Sequence, residues 1–362
     1  MDYSSAMFRK SRAGWIIIGL FLVNFCAAAN SYGVFTTVQN DYYVINVVND
    51  TSTQPPDSIG GFQLHTGPLH PAGPDKDITY GSSGNVNIGT SFSGIRVSGD
   101  NANAYTSDTH GAGTASPVIN LDEFFSTQGA TPGYASSGWR THWDLFAEQL
   151  EIVQDVIAVG DHFDQSAIYH TVNIINGRNS PVQIDWLNLM DFDTNTDGGP
   201  SNTVERSGGI VLVENSHEYS HTPSLPDELV RISDFPGLGT YDAFWSISHD
   251  PGLRPVLEGE PLVVTTPDEF QFVAWATAFN PANFGLPLNV FDYLVDPTLD
   301  VATSLDSAGI AKFSATIPTN GSVRFTQVFW VQPIPEPSTL PLIVLSLAIL
   351  AFCRLQNVER NS

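Results

Sequence analysis

Between residues 166 and 175 the chain reads SAIYHTVNII, with apolar side chains on every second position. Ile168, Val172 and Ile174 share one face, with His170 among them, which is the two-residue period of a strand buried on one side. The run GRNSPVQIDWL follows, a turn and then Val182, Ile184 and Trp186 on one face, and it predicts a hairpin. Similar runs recur at YYVINVVND (42–50), NVNIGTSFSGIRVSG (85–99), GGIVLVEN, PLVVTT, EFQFVAWAT and SVRFTQVFW, the last after an Asn320-Gly321 turn signal. Thirty glycines and 24 prolines punctuate them. The pattern predicts an all-β fold, an antiparallel β-sandwich with long Gly/Pro-rich loops. Residues 141–159 are rich in helix formers, but EIVQDVIAV within them reads better as a strand. The Gly/Pro/Ser/Asp-rich stretch 51–84 reads as a long loop.

The ends have a different character. Arg9, Lys10 and Arg12 precede the apolar AGWIIIGLFLVNF and then CAAAN, the layout of a signal peptide with its helix, cleaved near residue 29. Phe25 before Cys26 argues against a lipoprotein signal. At the other end IPEPSTLPLIVLSLAILAFCRLQNVERNS holds a Pro335-Glu336-Pro337 triplet, an apolar helix over 340–353 and two arginines. The apolar run is shorter than the ~20 residues that cross a bilayer, which suits a temporary membrane hold. Both cysteines, Cys26 and Cys353, lie in these end segments. The region 30–334, as one sandwich or two sub-sandwiches, is therefore held by its core without disulfides.

The triplet, the STL that follows, the apolar segment and the arginine resemble the PEP-CTERM sorting signal of Gram-negative bacteria. Pro341 and the dispersed Arg354 and Arg360 depart from that pattern. The resemblance, over residues 335–362, implies an exported protein handled by an exosortase-type transpeptidase, with transient anchoring in the inner membrane. It also implies a final place at the cell surface or in an exopolysaccharide or biofilm matrix. Residues 138–199 are similar, more loosely, to β-rich domains of secreted bacterial proteins, which implies a sandwich and no chemistry.

Five of the 14 basic and three of the 38 acidic residues lie in the end segments, leaving nine against 35 and a net charge of −26 between them. So negative a surface excludes nucleic acid as a partner and suits recruitment of divalent cations. DFDTNTDGG (191–199) places Asp193, Asn195, Asp197 and Gly198 as in the opening of a calcium loop, with Asp191 as a further ligand. Val204 stands where an EF-hand carries its bidentate Glu. The choice is between a looser calcium site and a metal-free Asp/Gly turn.

HEYSH (217–221) matches H-E-x-x-H, in which His217 and His221 hold zinc and Glu218 is the general base. Asp227, six residues after His221, stands where elongated zinc-protease motifs carry their third ligand, with Glu228 as its neighbour. Such a motif needs a helix, yet a strand-like GGIVLVEN precedes it and Pro223 and Pro226 follow. A surface strand and loop is the reading these neighbours favour, with a zinc-dependent hydrolase as the competing class. DHFD (161–164) and SHDPG (248–252) read as turns. Of the tryptophans, Trp139, Trp143, Trp186, Trp245, Trp275 and Trp330 fall in strand-like runs, where core positions compete with a sugar-stacking platform. The whole predicts a structural or binding protein of the extracellular matrix without catalysis, associated with polysaccharide or matrix proteins. A carbohydrate-binding module is an adjacent alternative.

Overall fold

The computed structural model describes residues 35–49, 59–79, 91–100, 103–106, 118–194, 202–206, 210–213, 219–221, 227–234, 241–274, 291 and 307–334. The expected signal peptide, the Pro335-Glu336-Pro337 triplet and both expected terminal helices lie outside them. No helix among the described residues is long and apolar enough to cross a membrane.

In chain order the strands are β1 Phe35–Gln39, β2 Tyr43–Val48, β3 Phe62–Thr66, β4 Phe92–Val97, β5 Ala104–Thr106, β6 Val118–Asn120, β7 Phe125–Ala130, β8 Gly138–Leu145, β9 Leu150–Val159, β10 Ala167–Asn176 and β11 Val182–Phe192. They continue as β12 Asn202–Arg206, β13 Ile210–Val213, β14 Tyr219–His221, β15 Leu229–Asp234, β16 Tyr241–Ser246, β17 Val256–Leu257, β18 Glu260–Pro261, β19 Glu269–Ala274, β20 Ser307–Ile317 and β21 Ser322–Pro333. A nine-stranded sheet runs β13-β12-β15-β16-β21-β10-β9-β8-β7, and a seven-stranded sheet runs β14-β19-β20-β11-β4-β5-β6. A three-stranded sheet, β1-β2-β3, and the small β17-β18 pair complete them. Pairing is antiparallel except between β5 and β6. The all-β expectation holds, and EIVQDVIAV lies in strand β9.

The inner faces of the two large sheets and of the small N-terminal sheet meet in one contiguous core. Trp143, Trp186 and Trp245 are fully buried in it, with Ile152, Ile168, Phe313 and Phe329. Gly309 leaves room for three of its rings, since a Cβ there would stand 2.7 Å from both Phe192 and Trp245 and 3.2 Å from Phe272. The stretch 51–84, expected as a loop, contributes β3, all of whose residues are buried. Its Phe62 and Leu64 belong to the core, and Tyr43 of the paired β2 accepts a hydrogen bond on its hydroxyl from Val331 N at 3.1 Å.

The expected hairpin from 166–175 into 182–186 is not formed. β10 pairs with β9 and β21 in one sheet, and β11 pairs with β20 and β4 in the other. The apolar faces of the two strands confront each other across the core, which buries both without their edges touching. The Asn320-Gly321 turn makes the same crossing between β20 and β21, with Asn320 at φ 53°. Fully buried Asn176 ties the two crossings together. Its Nδ2 donates to Ser180 O and Pro318 O at 3.0 Å and to Ile317 O at 3.2 Å, while Oδ1 accepts from Arg178 N at 2.9 Å. A strand expected over PLVVTT is present only as Glu260–Pro261, and the residues after it form part of a strap described below.

Candidate functional site

Strict alternation along β21 sends Phe325, Phe329 and Val331 into the core and leaves Ser322, Arg324, Thr326, Val328, Trp330 and Gln332 on the outer face of the nine-stranded sheet. Residues 249–266 cross this face as a strap. Leu257 and Leu262 of the strap bury Val328, Ile157, Val159 and Tyr169 beneath them. Thr265 N donates to Thr326 O at 2.9 Å, and Thr326 N donates to Thr265 Oγ1 at 3.1 Å. Glu258, held at φ 54°, is the polar anchor: its Oε1 accepts from Arg140 Nη1 at 2.6 Å and its Oε2 lies 3.9 Å from Arg324 Nη2.

Arg140 also forms a bidentate pair with Asp155, both bonds at 2.9 Å, and Thr131 Oγ1 donates to the same carboxylate at 2.9 Å. Burial pushes the Asp155 carboxyl up, and the Arg140 guanidinium works against that push. The strap is thus fastened by an apolar seam and by a charged triad of a kind that is worth most when partly desolvated.

Three clefts open along the strap. The first, of about 430 Å³, is lined by Phe163, Asp164, Ser166, His249, Trp330 and Gln332 among others. Half-buried Trp330 stacks on Phe244 of the neighbouring β16, centroids 5.6 Å apart and planes 8° apart, and the His249 ring stands 5.9 Å from it. The cleft's described lining includes one carboxylate, Asp164. A second cleft, of about 620 Å³, adjoins it through Leu253 and is lined by Asn40, Asp41, Ser136, Asp161 and Gln165. The third, of about 650 Å³, lies past the strap over Asn173, Glu260, Thr266, Ser322 and Arg324.

DHFD and SHDPG, read as unrelated turns, meet here: Phe163, Asp164 and His249 line one cleft though they are far apart in the chain. Of the other tryptophans, Trp139 is half-buried and donates to Gln128 Oε1 at 3.2 Å, and Trp275 lies outside the described residues.

The residues singled out for metals lie elsewhere. Asp191 is the penultimate residue of β11 and Asp193 follows the strand, 1% and 3% exposed, with Asp193 N donating to Ile78 O at 3.2 Å. Asn195 and Asp197 lie outside the described residues. His217 and Glu218 also lie outside, but His221 falls in strand β14, paired with Phe270 of β19. Residues 219–221 are thus strand and not helix. Asp227 is exposed at φ 56°, and the neighbouring Glu228 is buried. Among the described residues no three His, Cys, Asp or Glu side chains converge as a metal would need.

No family model matches this chain, and no curated protein does. Among solved structures it is similar to a galactose mutarotase-like protein from Clostridium acetobutylicum, at 7% identity and TM-score 0.41, over 82% of this chain and 95% of that one. A galactose mutarotase-like protein from Lactobacillus casei superposes at 9% identity and TM-score 0.34, over 83% and 100% of the two chains. A protein assigned as a kojibiose phosphorylase, from the human microbiome, superposes at 8% identity and TM-score 0.32 over 87% of this chain. This chain spans about a third, 32%, of that protein's length. Superpositions this partial assign neither a fold family nor an activity.

Proposed function

We propose that this is an exported, non-catalytic binding protein of the cell surface or extracellular matrix, and that its ligand is polysaccharide. The observation that carries the reading is the Trp330–His249 pair lining the first cleft, with Trp330 backed by the stacked ring of Phe244. An aromatic face half-open to solvent beside the Asp164 carboxylate and the Ser166 and Gln332 side chains is what a sugar ring uses, its C–H face on the aromatic and its hydroxyls on the polar groups. Export and sorting rest on the signal segment and on Pro335-Glu336-Pro337 with the apolar run behind it, which would present the chain to an exosortase-type transpeptidase at the inner membrane. Calcium belongs to the same reading, with Asp191, Asp193, Asn195 and Asp197 as ligands at the end of β11.

Affinity electrophoresis of the secreted protein through gels containing the producer's own exopolysaccharide tests this. Retardation is expected for the unaltered protein and is expected to fall about tenfold in apparent affinity for Trp330→Ala, a loss of stacking worth roughly 1–1.5 kcal/mol. Equal mobility with and without the polymer would refute polysaccharide as the ligand.

A further inference from the structure

The outward row of β21 continues past the strap, and its two open ends differ in chemistry. Trp330 and Gln332 stand at one end, Ser322 and Arg324 at the other, with Val328 buried under the strap between them. Arg324 and Trp330 are six residues apart, which on an extended strand is about 20 Å. Resting on the polysaccharide reading above, we propose that this row is a track for one uncharged polysaccharide chain several sugar units long, with a stacking subsite at Trp330 and a hydroxyl-binding subsite at Arg324 and Asn173.

Arg324 and Asn173 are register partners on adjacent strands, so their side chains project together into the third cleft. Among the described residues neither side chain has a protein hydrogen-bond partner, and the carboxylate nearest Arg324 is Glu258 at 3.9 Å. Most other described guanidinium groups are closely paired, as Arg96 is with Asp185 at 2.8 Å and Arg254 with Asp250 at 2.9 Å. A planar guanidinium and an amide side by side present donors and an acceptor to adjacent sugar hydroxyls.

Between the two ends the strap turns Val256 and Val263 to solvent, 55% and 48% exposed, an apolar ridge over which the faces of sugar rings can pass. Glu258 and Glu260 beside Arg324, Asp164 beside Trp330 and the net charge of −26 repel a polyanion, which leaves a neutral chain as the class that fits.

The protein as secreted is tested on an array of neutral hexose oligomers of two to eight units covering the common linkages, and the best ligand is then measured by calorimetry. Longer oligomers are expected to bind at least tenfold more tightly than the two-unit form. Trp330→Ala weakens both lengths. Asn173→Ala and Arg324→Gln each weaken the long form about three- to tenfold, as the loss of one or two hydrogen bonds does, and leave the short form unchanged. Asn173→Ala keeps the test sound if Arg324→Gln disturbs the strap. Equal affinity for short and long forms, or a long form indifferent to both substitutions, overturns the track and leaves the stacking cleft standing. Binding to nothing on the array overturns the neutral track, and the electrophoresis on the producer's own polymer then decides the reading beneath it; binding indifferent to Trp330→Ala overturns the stacking subsite on which both rest.

Discussion

At the scale of single residues, the interior contains a polar network that spans both large sheets. His170 Nε2 donates to Gln154 Oε1 at 3.1 Å, and Ser93 Oγ lies 3.2 Å from that oxygen and 3.1 Å from Asn188 Oδ1. Asn188 Nδ2 donates to Gln327 Oε1 at 2.5 Å, and Trp186 Nε1 donates to Asn188 Oδ1 at 2.7 Å. Each partner is buried, so each polar atom left over costs its desolvation and the bonds offset it. Burial pulls the His170 imidazole down to about 3 and that of buried His70 to about 4. Both therefore stay neutral in the fold at pH values where an unfolded histidine takes up a proton.

Folded values below the unfolded value mean that the unfolded chain binds more protons, so stability falls as pH falls. The loss begins near pH 6.5 and continues down to the folded values, with each histidine contributing up to about 1.4 kcal/mol per pH unit. Urea unfolding of the protein at pH 7.5, 6 and 5 should show it. His170→Gln should flatten the slope whatever it does to the absolute stability, and an unchanged slope would remove His170 from this role. Alternation alone placed His170 on the inner face of β10. Its partners could not be read, because Gln154, Asn188 and Gln327 belong to strands brought together by the fold.

At the scale of elements, the informative difference is the crossing from β10 to β11. A short turn between two half-apolar strands reads as a hairpin, because local sequence specifies a face for each strand and says nothing of which edge it joins. Here the turn is clamped by more than its own residues. Gly177 N donates to Gln149 O at 2.9 Å, Arg178 Nε donates to Glu148 O at 2.6 Å, and the Arg178 guanidinium pairs with the Glu148 carboxylate. Asn176 then joins this crossing to the one between β20 and β21. Asn176→Ala should cost about 2–3 kcal/mol, since it leaves buried carbonyls without donors, and Asn176→Asp should cost at least as much because it replaces the donor with a second acceptor. Denaturant midpoints measure both; a change below about 0.5 kcal/mol for the alanine variant would mean that solvent reaches those carbonyls. The strap is the other element that went unread. Strand-like PLVVTT carries the right apolar residues, but Leu262 and Val264 pack down onto the outer face of the nine-stranded sheet instead of pairing along an edge.

At the scale of the whole molecule, charge and core act against each other. A net charge of −26 between the end segments destabilises the compact state by self-repulsion. Added salt screens it, the Debye length shrinking to about 8 Å at physiological ionic strength, so the melting temperature should rise by several degrees between very low salt and 0.15 M NaCl. Calcium chloride at matched ionic strength should raise it further, and Asp193→Asn should remove that extra increment while preserving the response to sodium. If sodium and calcium act alike at equal ionic strength, the end of β11 holds no specific calcium.

Local sequence is enough to show that this chain is built of strands, which face of most of them is apolar, and that no disulfide staples residues 30–334. These are consequences of local periodicity and composition, which act over a few residues. Which strands pair was a matter for the whole fold, since every strand edge offers the same backbone donors and acceptors. The fold also decided the site. Asp164, His249 and Trp330 become neighbours only because the turn before β10, the strap and β21 converge on one outer face. A cleft formed by segments so far apart leaves no mark on any one of them.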